Sequence, residues 1–426
     1  MRLSIKDLPS QIGKTVEVAG FVQALRNQGK IAFLRLRDES GSVQIVSGGW
    51  KPEVFALVKT LSIESVIQVK GLVKESKQVP EGFEIDIESL EILSMAATLP
   101  IPVASEKGAE EVDVTKRFDW RWLDLRKPEA HRIFQVWTVL EQGMREYYGA
   151  HGFTQIYSPA LMSAASESGA EVFEVKYFET KAYLAQSPQF FKQMAIASGF
   201  EKVFMVGPVF RAELSFTTRH MTEFTGWDFE IAYISSHHDV MDTEEAMLKS
   251  GFAKLKSAGL IDEEIKVPFA RLTLAEVKAK LKAVGITSDK EGDLSPDEER
   301  GICKLVKEET GSNFVFITDY PPETRAFYHM RDPQTGLTKG FDLLYKGVEI
   351  TTGAQREHRL EYLKKQAAEK GLTAESLSDY LKFFEFGCPP HGGVGIGPGR
   401  IVAQILDLPS VKEATFLPRD VKRLRP

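Results

Sequence analysis

Three stretches of the chain gather arginines, carboxylates and glycines inside text that otherwise reads as β-strand. The first is GPVFRAELSFTTRHMTEFTGWDFEIAYI, residues 207–234. VFRAE and WDFEIAYI predict two strands joined by a polar loop. Arg211 follows the first apolar run directly, and Arg219 and His220 lie in the loop. Phe224 stands at its far end. A lone arginine is ordinarily a surface charge. Arginines grouped with a histidine and an aromatic ring are the parts of a phosphate site with a plate for a base. The second stretch is GFDLLYKGVEITTGAQREH, residues 340–358. Lys346-Gly347 reads as a two-residue hairpin turn. That register sets Leu344 opposite Glu349, so Asp342 and Glu349 project from the same face. Two carboxylates side by side repel unless a cation lies between them, and magnesium suits such oxygens. A solvated strand face is the plainer alternative on these residues alone. Arg356 is close by. The third stretch is HGGVGIGPGR, residues 391–400. Glycine-rich text is most often turn, and this spacing is neither a P-loop nor a dinucleotide fingerprint. No Ser-His-Asp or Cys-His constellation accompanies these groups, and the eight histidines form no metal-spaced cluster.

Something must position these residues, and 426 residues suffice for two or three domains. The composition, 43% hydrophobic and 27% charged, is that of a globular protein able to build large cores. A net charge of −6 argues against a protein that coats nucleic acid by charge, but not against local RNA binding. Two cysteines cannot build a disulfide framework or a four-cysteine zinc site. The start, MRLSIKDLPSQIGK, lacks a secretory apolar core, and no run is long enough to span a membrane. A reducing cytoplasm is the expected location.

Residues 1–103 read as a small β-barrel. Period-2 alternation marks TVEVAGFV, IAFLRLRD, SVQIVS, SVIQVKGLV and FEIDIESLEIL as strands, with Gly41 at a tight turn. PEVFALVKTL has helical spacing between the third and fourth. That order is the one of an OB-fold, a barrel that commonly binds oligonucleotides. Residues 104–127 read as a polar linker. From Pro128 a helix is predicted, with Ile133, Val136, Trp137, Leu140, Met144 and Tyr147 on its buried face and Gly149 and Gly152 ending it. The remainder, 128–426, predicts an α+β domain on an antiparallel sheet flanked by helices. Residues 262–335, charged and helical in pattern, suggest an insertion.

HGFTQIYSP (ending at Pro159), FRAE with RHMTEF, and GIGPGR occur in the order of the three motifs of class II aminoacyl-tRNA synthetases, and the chain resembles that family along its whole length. RWLDLRKPE, AQSPQFFKQM, EITTGAQREH, PPHGG and FLPRDVKRL are similar to its aspartyl branch, in the compact archaeal-type form. The resemblance implies activation of aspartate with ATP as substrate, and a homodimer built on motif 1. By resemblance, Arg211 holds the α-phosphate with Glu213 beside it, and Arg219 and His220 meet the outer phosphates. Phe224 and Arg400 sandwich the adenine, and Gly397 belongs to the same motif. Arg211, Glu349 and Arg400 carry the catalysis. Asp342 and Glu349 match magnesium (Mg²⁺) ligands, with Thr352 a hydroxyl near metal and substrate. Strict alternation would turn Thr352 away from Glu349, so a bulge is expected near Gly353. The resemblance sets Glu167 and Gln189 at the aspartate amino group, and Lys192 and Arg356 at its side-chain carboxylate, with Asp228 in the same pocket.

One position departs from the pattern. The residue before the motif 3 arginine is usually acidic, and here it is Gly399. If that acid only braces the arginine, activity survives; a non-catalytic RNA-binding paralogue is the rival if it does more. Asparaginyl-tRNA synthetase is the rival within the fold. Asp228 and Lys192 favour aspartate, because an amide substrate needs no buried lysine. In the barrel, Phe33 and Gln44 are set to stack on and hydrogen-bond anticodon bases. Barrel core is the plainer place for Phe33. Gln23 and Pro80 resemble relatives that charge tRNA(Asn) as well as tRNA(Asp). Such an enzyme needs a partner amidotransferase to finish the mischarged product.

Overall fold

Apolar side chains at every second position of the first ninety residues turn inward and close a barrel. In the computed structural model, which describes residues 2–103, 112–163, 171–215 and 217–426, residues 1–130 form one compact unit and 131–426 another. The barrel strands are β1 (Thr15–Gln28), β2 (Ile31–Asp38), β3 (Gly41–Gly48), β4 (Val66–Glu75) and β5 (Phe83–Ser94). They close in the order β1-β2-β3-β5-β4, with α1 (Pro52–Thr60) between β3 and β4 as the sequence predicts. Val18, Leu34, Leu36, Ile45, Val69 and Ile85 fill the interior. Each contributes roughly 2 kcal/mol by leaving water. The intervening residues face outward, among them Phe33, Arg35 and Gln44, so Phe33 is not barrel core.

The stretch read as a linker contains more structure than its text suggests. α2 (Val114–Asp119) and α3 (Arg121–Asp124) are too short to show a period, and Leu123 packs on Ile101 and Val103. Asp113 caps the first, and buried Asp124 gathers Arg117, Arg121 and Lys127. The polar residues there pair with one another.

α4 (Pro128–Ala150) buries Ile133, Val136, Leu140, Met144 and Tyr148, while Trp137 and Tyr147 flank the contact. Tyr148, four residues after Met144, is the buried tyrosine, and the expected Tyr147 is half-buried beside it. The short strands β6 (Thr154–Gln155) and β7 (Leu161–Met162) follow, then β8 (Glu174–Tyr177) and β9 (Thr180–Leu184). β7, β9 and β8 form a small sheet of their own. Next come α5 (Gln189–Ala197), β10 (Lys202–Phe210), β11 (Glu223–Ala232), α6 (His237–Ser257), β12 (Ala270–Thr273), α7 (Leu274–Ala283), α8 (Pro296–Thr310) and β13 (Phe314–Thr318). The chain ends with β14 (Gly340–Tyr345), β15 (Val348–Gln355), α9 (Leu360–Glu369), α10 (Ser378–Glu385), β16 (His391–Ile396) and α11 (Pro398–Ile405). Helices α6, α7 and α8 each start on a reciprocal cap: Ser236 with Asp239, Thr273 with Glu276, Ser295 with Glu298.

Eight strands make the main sheet, in the order β12-β13-β14-β15-β16-β11-β10-β6. The centre is antiparallel, and the outermost pair on each edge is parallel. Residues 262–335 are therefore not set apart: β12 and β13 continue the sheet, and α7 and α8 cover them. Register sorts side chains between the two faces. Phe229, Val394, Gly353 and Phe341 form one row across four strands, on the apolar face. Asp228, Gly395, Thr352 and Asp342 form the neighbouring row, on the opposite face.

Glu244 of α6 is fully buried, and burial pushes its carboxyl up to about 8; Thr351 opposes the rise and the charge of Asp342 adds to it. The folded chain thus keeps a proton that the unfolded chain gives up between the ordinary carboxylate range and about pH 8. Stability falls with rising pH across that window, by up to ~1.4 kcal/mol per pH unit, and then levels. Glu244→Gln should lose this decline. Thermal unfolding of both proteins from about pH 5 to pH 8 should show the variant gaining on the wild type as pH rises. A stability difference independent of pH would refute it.

Candidate active site

The polar face of the sheet bears a cavity of about 600 Å³. β16 makes its floor, and the glycines there have a steric cause. A Cβ on Gly393 would collide with the Glu230 carboxylate and the Phe229 carbonyl, and one on Gly392 would press on the Ala354 carbonyl. Gly395 lies beside Asp228. The glycine-rich text is a strand stripped of side chains so that its neighbours' charged groups can stand over it, not a run of turns.

Those groups form a closed charge cluster at one end of the cavity. Lys192, on the face of α5 that also carries Gln189 and Gln193, donates to Asp228 Oδ2 at 2.8 Å and to the Val394 carbonyl at 3.1 Å. Glu230 Oε2 lies 3.4 Å from the same ammonium. Arg356, at the end of β15, donates Nε to Glu230 at 3.0 Å and Nη2 to the Gly393 carbonyl at 2.8 Å. Its Nη1 meets His329 Nε2 at 3.3 Å. Burial opposes the Glu230 charge, but Arg356 and Lys192 outweigh it and hold the carboxyl below its usual value. His329 is driven well below its usual value by burial and then by Arg356, and is neutral. Two cations thus face two carboxylates with almost no solvent, and lone charges there would cost several kcal/mol each. Gln189 Nε2 donates to Gln193 Oε1 at 2.9 Å, and Gln193 is fixed in turn by His391 and Tyr380. The carbonyl of Gln189 is left as an acceptor at the cavity.

The other end is more open. Arg211 follows β10, its guanidinium 5.5 Å from the Phe224 ring centre and 3.7 Å from Glu213. Arg400, in the first turn of α11, donates Nη1 to the Glu349 carbonyl at 2.7 Å and to its carboxylate at 3.2 Å. The Gly397 N–H closes this corner on the Ile350 carbonyl. His220 bonds Thr217; burial, then the charge of Arg400, keeps it below its usual value and hence neutral. Arg219 reaches across to Glu299 of α8. A nucleotide would meet three arginines here, Arg211 and Arg219 for its phosphates and Arg400 opposite a ring able to stack on its base.

Between the two ends, the hairpin at Lys346-Gly347 has the expected turn and the Leu344–Glu349 pairing. The bulge falls at Ile350, three residues before the expected Gly353. It returns Thr352 to the side of both acids: its hydroxyl bonds Asp342 at 2.9 Å and Glu349 at 3.3 Å. Asp342 also takes both terminal nitrogens of Arg325, at 2.9 and 2.5 Å, and stands behind the cavity wall, whereas Glu349 lines it. The donors fit magnesium, which favours one or two carboxylates with water and phosphate oxygens. Glu349 and Thr352 would hold it directly, with Asp342 behind them and balanced by Arg325.

Gln189, Lys192, Arg211, Glu213, Arg219, His220, Phe224, Asp228, Glu349, Thr352, Arg356, Gly397 and Arg400 all line the one cavity. Glu167 lies outside the described residues. Sequence reasoning missed Arg325, Glu230, Gln193 and His329. Glu230 had a signal, since it alternates with Asp228 in WDFEIA; Arg325 and His329 had none, because their loop carries no period. A Cβ on Gly399 would meet only Trp137, at 3.7 Å, so the position has room for a side chain. In the barrel, Gln23 is the unpaired bulge residue of β1 and Pro80 is exposed before β5. Gln44 bonds Glu84 at 2.8 Å, and Arg35 pairs with Glu81 next to Pro80.

Residues 16–93 match the OB-fold nucleic acid binding domain, and residues 113–421 match the tRNA synthetases class II (D, K and N). An Aspartate--tRNA(Asp/Asn) ligase of Aeropyrum pernix is 42% identical, over 98% of this chain and 97% of its own. An Aspartate--tRNA(Asp) ligase of Pyrococcus abyssi is 39% identical, over 97% of each. The crystal structure of asparaginyl-tRNA synthetase from Pyrococcus horikoshii complexed with asparaginyl-adenylate superposes with a TM-score of 0.90 at 32% identity, covering all of both chains. The chain belongs to the class II tRNA synthetases of the aspartate, lysine and asparagine group, with an OB-fold anticodon-binding domain at its N-terminal end.

Proposed function

We propose that the chain activates L-aspartate with ATP and transfers it to both tRNA(Asp) and tRNA(Asn). The observation that carries the amino-acid assignment is Lys192, buried beside Arg356 at the closed end of the cavity. An asparagine pocket has no use for that lysine. Arg356 directs three of its N–H groups at Glu230, Gly393 and His329 and keeps two of five for a ligand carboxylate. Asp228 and the Gln189 carbonyl face the other way, as acceptors for the ammonium.

Activation is attack by the substrate α-carboxylate on the α-phosphorus, with pyrophosphate leaving. Like charges must be brought together, and no protein nucleophile is required. Arg211 neutralises the α-phosphate, Phe224 and Arg400 hold the base, and Arg219 and His220 take the outer phosphates. Glu349 and Thr352 would hold Mg²⁺, which when bound would further neutralise phosphate charge. The gain comes from position and preorganised charge. Exposed Tyr157 and Leu161, on either side of Pro159, support a homodimer built through that segment. The cytoplasm, where tRNA is charged, is the location this activity requires, and an amidotransferase is the partner that tRNA(Asn) charging requires.

ATP–pyrophosphate exchange measured with each amino acid tests the first half: exchange should depend on aspartate and Mg²⁺, and exchange with asparagine alone would overturn it. Lys192→Ala should raise the KM for aspartate roughly 100-fold or more and that for ATP less than about threefold. It should also lower stability by about 3 kcal/mol, since Asp228 and Glu230 lose a buried partner. An ATP defect with aspartate untouched would refute the role.

The second half rests on Gln23 and Pro80. A bulged glutamine and an exposed proline offer the third anticodon base little to stack on or bond. Transcripts of both tRNAs should be charged with efficiencies within about tenfold of each other. A preference for tRNA(Asp) above ~1,000-fold, near 4 kcal/mol, would show that the base is read.

A further inference from the structure

Arg219 sits on an irregular loop, yet its guanidinium is not left to wander. Nη1 donates to Glu299 Oε2 at 2.7 Å, and both side chains are largely covered. Nη2 is buried and meets no hydrogen-bond partner among the described residues. Glu299 itself does not line the cavity, while Arg219 does. α8 holds Glu299 rigidly. Its start is capped by Ser295, Ile302 and Val306 are buried beneath it, and Arg300 packs on Gly347 of the hairpin.

We infer that Glu299 is a positioning residue for the outer phosphates of ATP. It anchors Nη1 of the Arg219 guanidinium beside the cavity that Arg219 lines and leaves Nη2 without a protein partner among the described residues. The inference rests on the reading that this end of the cavity takes ATP. An unanchored arginine has many rotamers and would have to be ordered when the ligand arrives; a braced one is ordered beforehand. A single planar fork can hold a carboxylate on one edge and a phosphate on the other. This gives residues 262–335 a part in the site: they supply the brace as well as the sheet edge.

The test is calorimetric titration of magnesium ATP and of AMP, which lacks the outer phosphates. It compares wild type, Glu299→Ala, Glu299→Gln, Arg219→Ala and the Arg219/Glu299 double alanine variant. Glu299→Ala should weaken ATP about tenfold or more and AMP less than about twofold. Glu299→Gln, whose carbonyl still accepts from Nη1, should keep most of the ATP affinity. On the Arg219→Ala background, Glu299→Ala should add less than about twofold. Unchanged or tighter ATP binding in Glu299→Ala would overturn the inference, tighter binding marking the pair as a restraint on Arg219. Equal weakening of AMP, or full additivity in the double variant, would overturn it too. Wild-type protein that binds no ATP would instead defeat the proposed function.

Discussion

Two carboxylates and two cations share the glycine-lined face of the sheet with almost no water around them. Much of the local structure follows from keeping that group neutral and close. Asp228 and Glu230 alternate along β11, so both fall on one face. β16 must then pass beneath them without side chains, which makes it a glycine strand. Lys192 must come from the side, so α5 packs its Gln189–Lys192–Gln193 face toward the sheet. Arg356 must come from the end of β15, where the ladder releases it. Removing one member leaves an uncompensated charge in a dry site, at a cost of several kcal/mol. The cluster therefore ties the helix and three strands to one arrangement.

Its neutrality also sets what can enter. An amino acid brings an ammonium and, for aspartate, a side-chain carboxylate. In the proposed reading the two would exchange into the existing pairs with the balance kept, the ammonium on Asp228 and the carboxylate on Arg356. A guest with an ammonium and no side-chain charge would leave a net positive charge in the pocket once its α-carboxylate has left for the adenylate. The pocket is preorganised for a guest of matching charge pattern.

The barrel and the central strands were legible because their signals are local. Alternation at Val18, Leu34, Leu36 and Ile45 needs only one strand to be seen, and Lys346-Gly347 declares its turn in two residues. What could not be read depends on distant partners. The bulge at Ile350 is fixed by how β14 and α11 seat around it, with Gly397 bonding the Ile350 carbonyl and Arg400 the Glu349 carbonyl. The role of β16 needed β11 beside it, because glycine text alone resembles a turn. α2 and α3 each span fewer than two turns, too short for a period. Residues 262–335 looked separate because α7 and α8 carry many charges, whereas the joining strands β12 and β13 are only four and five residues long.

The two ends of the cavity also divide the work of selectivity. In the proposed reading ATP would meet arginines that remain partly open to solvent, Arg211 most of all, where screening trims an ion pair to about 1 kcal/mol or less. Several such contacts and a stacked ring hold a nucleotide without demanding much of any one. Aspartate and asparagine differ by an oxygen against an amide nitrogen, so shape cannot separate them and only charge and hydrogen-bond direction can. Those act strongly only where water is excluded. The discriminating charges are therefore the buried ones, and Lys192, enclosed by Asp228, Glu230 and the Val394 carbonyl, is the group whose electrostatics an amide would leave unanswered.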